Sequence, residues 1–268
     1  MSESSPAALV TGASSGLGEV FARRLSQRGY RLILVARRKA RLEKLAAELQ
    51  KAEVLPADLA TDAGLHSVEL RIAAEPALEF LVNNAGYGFM SGEFFSGDVQ
   101  VQDRMHRLHI IAIERLTHAA LKIMAARRAG NVINVSSVSG FIQSPYSISY
   151  CATKTWINSF TEGLFLELRQ MGSPVRVQAL CPGFTYTEFH ETMGMDRSVI
   201  PKSLWMQAED VVDASLRALE KNRLFVIPGW RYRLFVNLFQ HLPRRVRHSL
   251  LVKYGTLRKE SSRSGQAR

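Results

Sequence analysis

Cysteine is nearly missing from this chain of 268 residues: only Cys151 and Cys181 occur, with no CxxC and no metal-type spacing. That excludes a disulfide-stapled scaffold, fits a reducing compartment, and leaves no expected metal site. No apolar run approaches the ~20 residues that a membrane-spanning helix needs. The opening stretch, MSESSPAALVTG, lacks the basic and apolar regions of a secretory signal. A cytoplasmic protein is therefore expected. Repeats and low-complexity linkers are absent as well, so nothing divides the chain into two domains. Acid is scarce against base, 24 Asp and Glu to 35 Lys and Arg, for a formal charge of +11. The excess is either a solubilising balance or a preference for anionic company, such as a phosphorylated cofactor, an acidic lipid surface or nucleic acid. No nucleic-acid motif stands out and the basic residues are not interleaved with stacking aromatics, so no nucleic-acid partner is expected.

What the chain does have is alternation. AALVTG (7–12), RLILVA (31–36), EVLPA (53–57), EFLVNN (79–84), NVINVS (131–136), VRVQAL (175–180) and LFVIPG (224–229) are short, almost wholly apolar runs. They read as strands of a parallel sheet covered on both faces. Between them lie amphipathic stretches, such as 39–51, where Leu42, Leu45, Ala46 and Leu49 make one apolar face. Residues 98–128, 150–171 and 207–221 also read as helices. The expected fold is α/β: a single doubly wound, Rossmann-type parallel sheet with helices on both faces. One domain would span 1–255, and the polar tail 256–268 is expected to be disordered.

TGASSGLG (11–18) follows the first strand and opens the first helix. Gly12, Gly16 and Gly18 would allow a tight turn, close approach to a pyrophosphate and tight helix packing, with Ser14, Ser15 and Leu17 completing the loop. At the end of the second strand, an NAD-selective site usually carries an acid for the ribose 2′-hydroxyl. Here Ala36 stands in that place and Arg37 and Arg38 follow. Guanidinium groups there suit a 2′-phosphate, so NADP(H) is expected over NAD(H).

NNAG (83–86), NVSSVSG (134–140), YCATK (150–154) and PGFTYT (182–187) come next, in that order. Together with TGASSGLG, and over about residues 5 to 230, they closely resemble the classical short-chain dehydrogenases/reductases. The resemblance implies an adenine contact at Asp58 and cofactor contacts at Asn84, Ala85 and Gly86. It implies that Pro182, Gly183, Thr185 and Thr187 orient the nicotinamide. The family's catalytic serine stands three residues before the glycine and thirteen before the tyrosine, which selects Ser137 over Ser136 and Ser139. Tyr150 and Lys154 lie one helical turn apart and share a face. In the implied chemistry, Lys154 holds the nicotinamide ribose and lowers the pKa of the Tyr150 phenol, Tyr150 moves the proton, and Ser137 steadies the carbonyl oxygen. His109 stands where the family usually has an asparagine that holds a water beside the lysine. It either keeps a relay or is a satisfied helix residue.

Residues 184–206 form an aperiodic, aromatic segment expected to be a substrate lid. Phe184 and Phe189 from it, with Phe141 and Tyr146 from the loop before the tyrosine, are expected to line a hydrophobic pocket for a carbonyl or alcohol. The segment 229–255 combines an apolar helical stripe with a basic cluster. It would cap the pocket, pack on another subunit or meet a membrane surface peripherally. The resemblance also suggests a homodimer or homotetramer. Two readings rival the NADP(H)-dependent oxidoreductase: a dinucleotide-binding regulator without efficient turnover, and a membrane-surface lipid ketone reductase.

Overall fold

The computed structural model describes residues 5–88, 93–189 and 200–253. Met193 and Met195 of the expected lid, residues 254–255 of the expected C-terminal extension and the tail 256–268 lie outside the described residues. Seven parallel strands form one sheet in the order β3-β2-β1-β4-β5-β6-β7. They are β1 (Ala7–Thr11), β2 (Arg31–Ala36), β3 (Ala52–Pro56), β4 (Leu78–Asn83), β5 (Asn131–Val135), β6 (Arg176–Leu180) and β7 (Phe225–Val226). All seven expected strands occur. The last is far shorter than LFVIPG suggested, because Pro228 has no amide to give a ladder and Gly229 turns the chain at φ +81°.

Successive side chains of a strand point to opposite faces, and here both faces are dry. Ala8, Val10, Leu32 and Leu34 join one core cluster, while Leu9, Ile33, Val35 and Leu81 join another. Helices α1 (Gly16–Gln27), α2 (Lys39–Glu48) and α7 (Ala208–Glu220) cover the first through Phe21, Leu42 and Val212. Helices α3 (Asp62–Ala73), α5 (Ala112–Arg127) and α6 (Ile148–Gln170) cover the second through Leu65, Leu116 and Leu168. A two-bond Arg24–Asp213 pair, at 2.8 and 3.2 Å, ties α1 to α7. The expected 98–128 helix is broken in phase: α4 (Val99–His106) passes into a π-turn at Arg107–Ile111 before α5 resumes. Helix α8 (Trp230–His241) and a helical stretch at 244–253 follow β7.

The glycine-rich turn is held by contact distances. A Cβ on Gly18 would lie 2.3 Å from the Gly12 carbonyl oxygen and 2.5 Å from Asn84 Nδ2, and the carbonyl belongs to backbone that cannot swing away. Gly163, midway along α6, would meet nothing within 4 Å. Gly18→Ala is therefore expected to destabilise the fold by about 1–3 kcal/mol, while Gly163→Ala stabilises it by about 0.5–1 kcal/mol. Thermal unfolding of the two single variants should move in opposite directions.

Candidate active site

The strand order reverses between β1 and β4, and such a switch point opens a crevice beyond the strand ends. Thr11 and Asn84 clasp the two strands there. Thr11 Oγ1 accepts from the amides of Asn84 and Ala85 at 2.9 and 3.0 Å and donates to the Val82 carbonyl. Asn84 Nδ2 donates to the carbonyls of Thr11 and Gly12. The Asn84 side chain thus shapes the turn, while Asn84, Ala85 and Gly86 all lie on the wall of the crevice. The crevice is a cavity of about 1170 Å³. It runs from the glycine-rich turn, past Ser137, Tyr150 and Lys154, to an apolar end at Phe184, Phe189, Phe235 and Phe239.

At the glycine-rich end Gly12 sits at φ +65°, and a Cβ there would meet Asn84 and Ala85 within 3 Å. Ser15 precedes α1 without a side-chain cap, so the first-turn amides have no capping oxygen. Such a helix start favours an anion. Arg38 donates to Ser14 Oγ and Ser15 Oγ at 3.0 and 2.7 Å, so the guanidinium and the turn form one cluster. Arg37 lies beside it and is exposed. A close backbone cradle, free amides and paired guanidiniums fit the diphosphate and ribose of a dinucleotide.

Two partners there, Glu188 and Arg104, are not among the residues that the motifs select. Glu188 accepts from Arg38 at 3.0 Å and from Arg41 at 2.6 Å, across 150 residues of chain, and these contacts hold its carboxyl below the usual range. Asp58 accepts from Arg104 and, at 3.1 Å, from the Ala60 amide. Val101, Arg104 and Leu108 share one helical face on the cavity wall, a periodicity that the sequence does carry.

At the reacting end, Tyr150 and Lys154 project from the first turns of α6. Lys154 Nζ lies 5.7 Å from the Tyr150 ring centre and donates to the Val135 carbonyl at 2.9 Å. Ser137, just beyond β5, lies on the same cavity wall as the phenol. The other two serines do different work. Ser136 Oγ donates to the Lys154 carbonyl at 3.0 Å, and the Ser139 amide donates to Ser137 Oγ at 3.1 Å. Burial pushes the Tyr150 phenol well above its ordinary pKa, and the neighbouring Ser137 hydroxyl offsets this only in part. Burial also brings the Lys154 ammonium down to about 8. Desolvation thus moves both groups toward their neutral forms in the chain alone. Cys151 and Cys181 are both buried and form no disulfide, and burial lifts the Cys181 thiol to about 12.

His109 sits fully buried inside the π-turn. Its Nε2 accepts from the Tyr87 amide at 3.2 Å, so Nδ1 carries the proton and faces Thr153 Oγ1 at 3.0 Å. Thr153 Oγ1 in turn donates to the Tyr150 carbonyl. Burial, then the charges of Lys154 and His106, push the imidazole pKa well down, so it stays neutral. Of the two readings, satisfied residue or relay beside the lysine, these contacts favour the first: the imidazole links the segment after β4 to α6. Gly86 makes room for it, since a Cβ there would lie 2.8 Å from Nε2.

At the apolar end, Phe184 and Phe189 lie on the cavity wall, but Phe141 and Tyr146 do not. Phe141 follows a short 3-10 turn, and its ring packs edge-on against Phe225 of β7 at 5.7 Å between centres. Tyr146 sits at φ +65° in the left-handed region, two residues before the start of α6. Pro182, Gly183, Thr185 and Thr187 all line the cavity. Thr185 Oγ1 donates to the Gly183 carbonyl at 3.0 Å, and a Cβ on Gly183 would lie 2.2 Å from the Tyr232 ring. Tyr232, which the sequence alone does not single out, accepts from the Phe184 amide and donates to the Leu204 carbonyl. It pins both ends of the described lid to α8.

Comparison with known proteins agrees with this layout. A family profile described as short chain dehydrogenase matches residues 6–198. An uncharacterised oxidoreductase of Staphylococcus epidermidis is 32% identical over 214 residues, covering 79% of this chain and 90% of the relative. Among solved structures, a short-chain dehydrogenase from Sphingobium yanoikuyae in complex with NADPH is 34% identical, with a TM-score of 0.79 over 89% of this chain and 97% of that one. The bulky-bulky ketone specific alcohol dehydrogenase from Comamonas testosteroni is 32% identical, with a TM-score of 0.75 over 94% and 93%.

The buried neutral imidazole has a measurable consequence. Below the unfolded pKa of about 6.5 the unfolded chain takes a proton on His109 that the folded chain refuses, so stability falls as pH falls through that value. Replacing His109 with Gln should shrink the loss of unfolding free energy between about pH 7.5 and pH 5 by roughly 2 kcal/mol. Urea unfolding of both proteins at the two pH values reads it.

Proposed function

Because the chain belongs to the short-chain dehydrogenase family of oxidoreductases, with a cleft suited to a dinucleotide, we propose that it uses NADP(H) to interconvert a hydrophobic carbonyl and its alcohol. One observation carries the reading: the buried Tyr150 phenol, with Ser137 and Lys154, opens midway along a cavity that is phosphate-seeking at one end and apolar at the other. The dinucleotide, when bound, supplies or accepts the hydride.

The chain's own residues do the rest. Tyr150 gives its proton to the carbonyl oxygen in reduction, and Ser137 hydrogen-bonds that oxygen as charge develops. The raised phenol pKa keeps Tyr150 protonated at neutral pH, the state that reduction needs. Lys154, anchored on the Val135 carbonyl, keeps a positive charge beside the phenolate that donation leaves. The glycine-rich turn, Asn84 to Gly86, and Pro182 to Thr187 bind and orient the cofactor, and His109 positions α6. Phe184 and Phe189 keep water from the reacting carbonyl. A solved relative specific for bulky-bulky ketones supports a bulky substrate at the apolar end of the cavity. The presence of the whole Ser137, Tyr150 and Lys154 set weighs against a regulator without turnover.

The preference for NADP(H) rests on Ala36 in place of an acid and on Arg37 and Arg38 at the cleft. Glu188 occupies Arg38 as a 2′-phosphate would, so the two compete. Two outcomes follow. Tyr150→Phe should cut ketone-dependent NADPH oxidation by at least about a hundredfold while leaving NADPH affinity within a few-fold; near-normal turnover would remove Tyr150 from the proton step. Glu188→Gln should tighten NADPH by roughly two- to fivefold, the scale of an exposed ion pair, and leave NADH unchanged. Fluorescence titration of both cofactors distinguishes the two.

A further inference from the structure

Helix α8 is apolar on two faces. Tyr232, Val236 and Phe239 are buried against the protein, whereas Trp230, Leu234 and Leu238, at i, i+4 and i+8, are 61%, 50% and 61% exposed. A surface helix ordinarily turns polar side chains outward. The pattern repeats in the helical stretch 244–253, where Val246 and Leu250 stand one turn apart and 44% and 49% exposed. Scattered exposed apolar side chains need no explanation, but rows of them on successive helical stretches mark a contact surface.

Charge decides what the contact is. Between residues 229 and 253 there are six cations, Arg231, Arg233, Arg244, Arg245, Arg247 and Lys253, and no Asp or Glu. A second copy meeting this face by two-fold symmetry would set the same cations against each other. An anionic bilayer offers the reverse: counter-charge at the headgroups and an apolar layer just beneath. Among the described residues no helix is long and apolar enough to cross a membrane, so the segment would lie on the surface. The same segment supplies Phe235, Phe239, Leu250 and Leu251 to the cavity wall. The half-exposed Leu250 therefore joins the cavity rim to the outer face.

We infer that α8 and the following helical stretch dock on an anionic lipid surface, with the apolar end of the cavity opening toward it. Docking stands independently of the proposed chemistry; only the consequence, that substrate enters from the lipid phase, rests on it.

The full chain is pelleted with phosphatidylcholine vesicles with and without phosphatidylserine, at low and high salt. Pelleting is expected only with phosphatidylserine, with release at high salt. Arg244→Glu/Arg245→Glu should lower the bound fraction roughly tenfold or more, and Leu234→Ser/Leu238→Ser should also weaken it. Unchanged thermal unfolding shows that these exposed substitutions leave the fold intact. Absence of pelleting with phosphatidylserine at low salt overturns the inference, as does undiminished binding of the charge-reversed protein. It is equally overturned if sedimentation velocity shows a dimer that Leu234→Ser/Leu238→Ser dissociates, since a second copy would then cover the face. The Tyr150→Phe assay reads the chemistry separately, so failure of one reading leaves the other standing.

Discussion

The clasp between Thr11 and Asn84 is the constraint from which the site is built. A sheet whose strand order reverses leaves two neighbouring chains departing in opposite directions, and their amides lose ladder partners at that point. Thr11 Oγ1 takes two of those amides and Asn84 Nδ2 takes two of the carbonyls. The backbone groups that these four bonds reach are thereby answered from within the two loops. The turn at Gly12 can then remain open to the cavity without unsatisfied backbone. Behind it, Asn83 donates to Thr117 and Asn134, and Asn134 donates to Thr161, so the same arrangement is braced to α5 and α6. Tyr150 and Lys154 are carried on that last helix.

Much of this was legible in the residues. Strand positions follow from apolar runs because both faces of the sheet are covered, so most side chains in them are apolar. The choice of Ser137 among three serines followed from motif spacing, and the alternation of the extended chain puts Ser136 to separate use on the Lys154 carbonyl. What could not be read depends on distance through space. Glu188 meets Arg38 and Arg41 across the mouth of the cleft, and nothing local to TYTEFH points to that pairing. Arg104 meets Asp58 because a helix face and a strand end converge. Phe141 looked like pocket lining from its place in the loop, but its ring packs against Phe225 of the short β7.

The proton chemistry shows the same limit. Spacing reveals that a phenol and an ammonium share a helix face, but not how dry that face is. Burial moves both groups toward their neutral forms, the phenol upward and the ammonium downward. The Ser137 hydroxyl and the Val135 carbonyl under Lys154 then favour the charged forms in part. Proximity and desolvation act in opposite directions, and only the folded surroundings decide between them.

The π-turn at Arg107–Ile111 acts as a phase shifter in an otherwise continuous helix. Each residue of an α-helix advances the azimuth by about 100°, and the wider turn absorbs one residue without adding a corresponding rotation. Upstream of it, Val101 and Arg104 can look into the cavity; downstream, Leu116 and Ala120 look into the core. His109 falls on the seam and serves neither surface. Chain length in this stretch is therefore quantised: removing a single residue would restore a regular helix and swing Arg104 away from Asp58 while leaving every other side chain chemically unchanged.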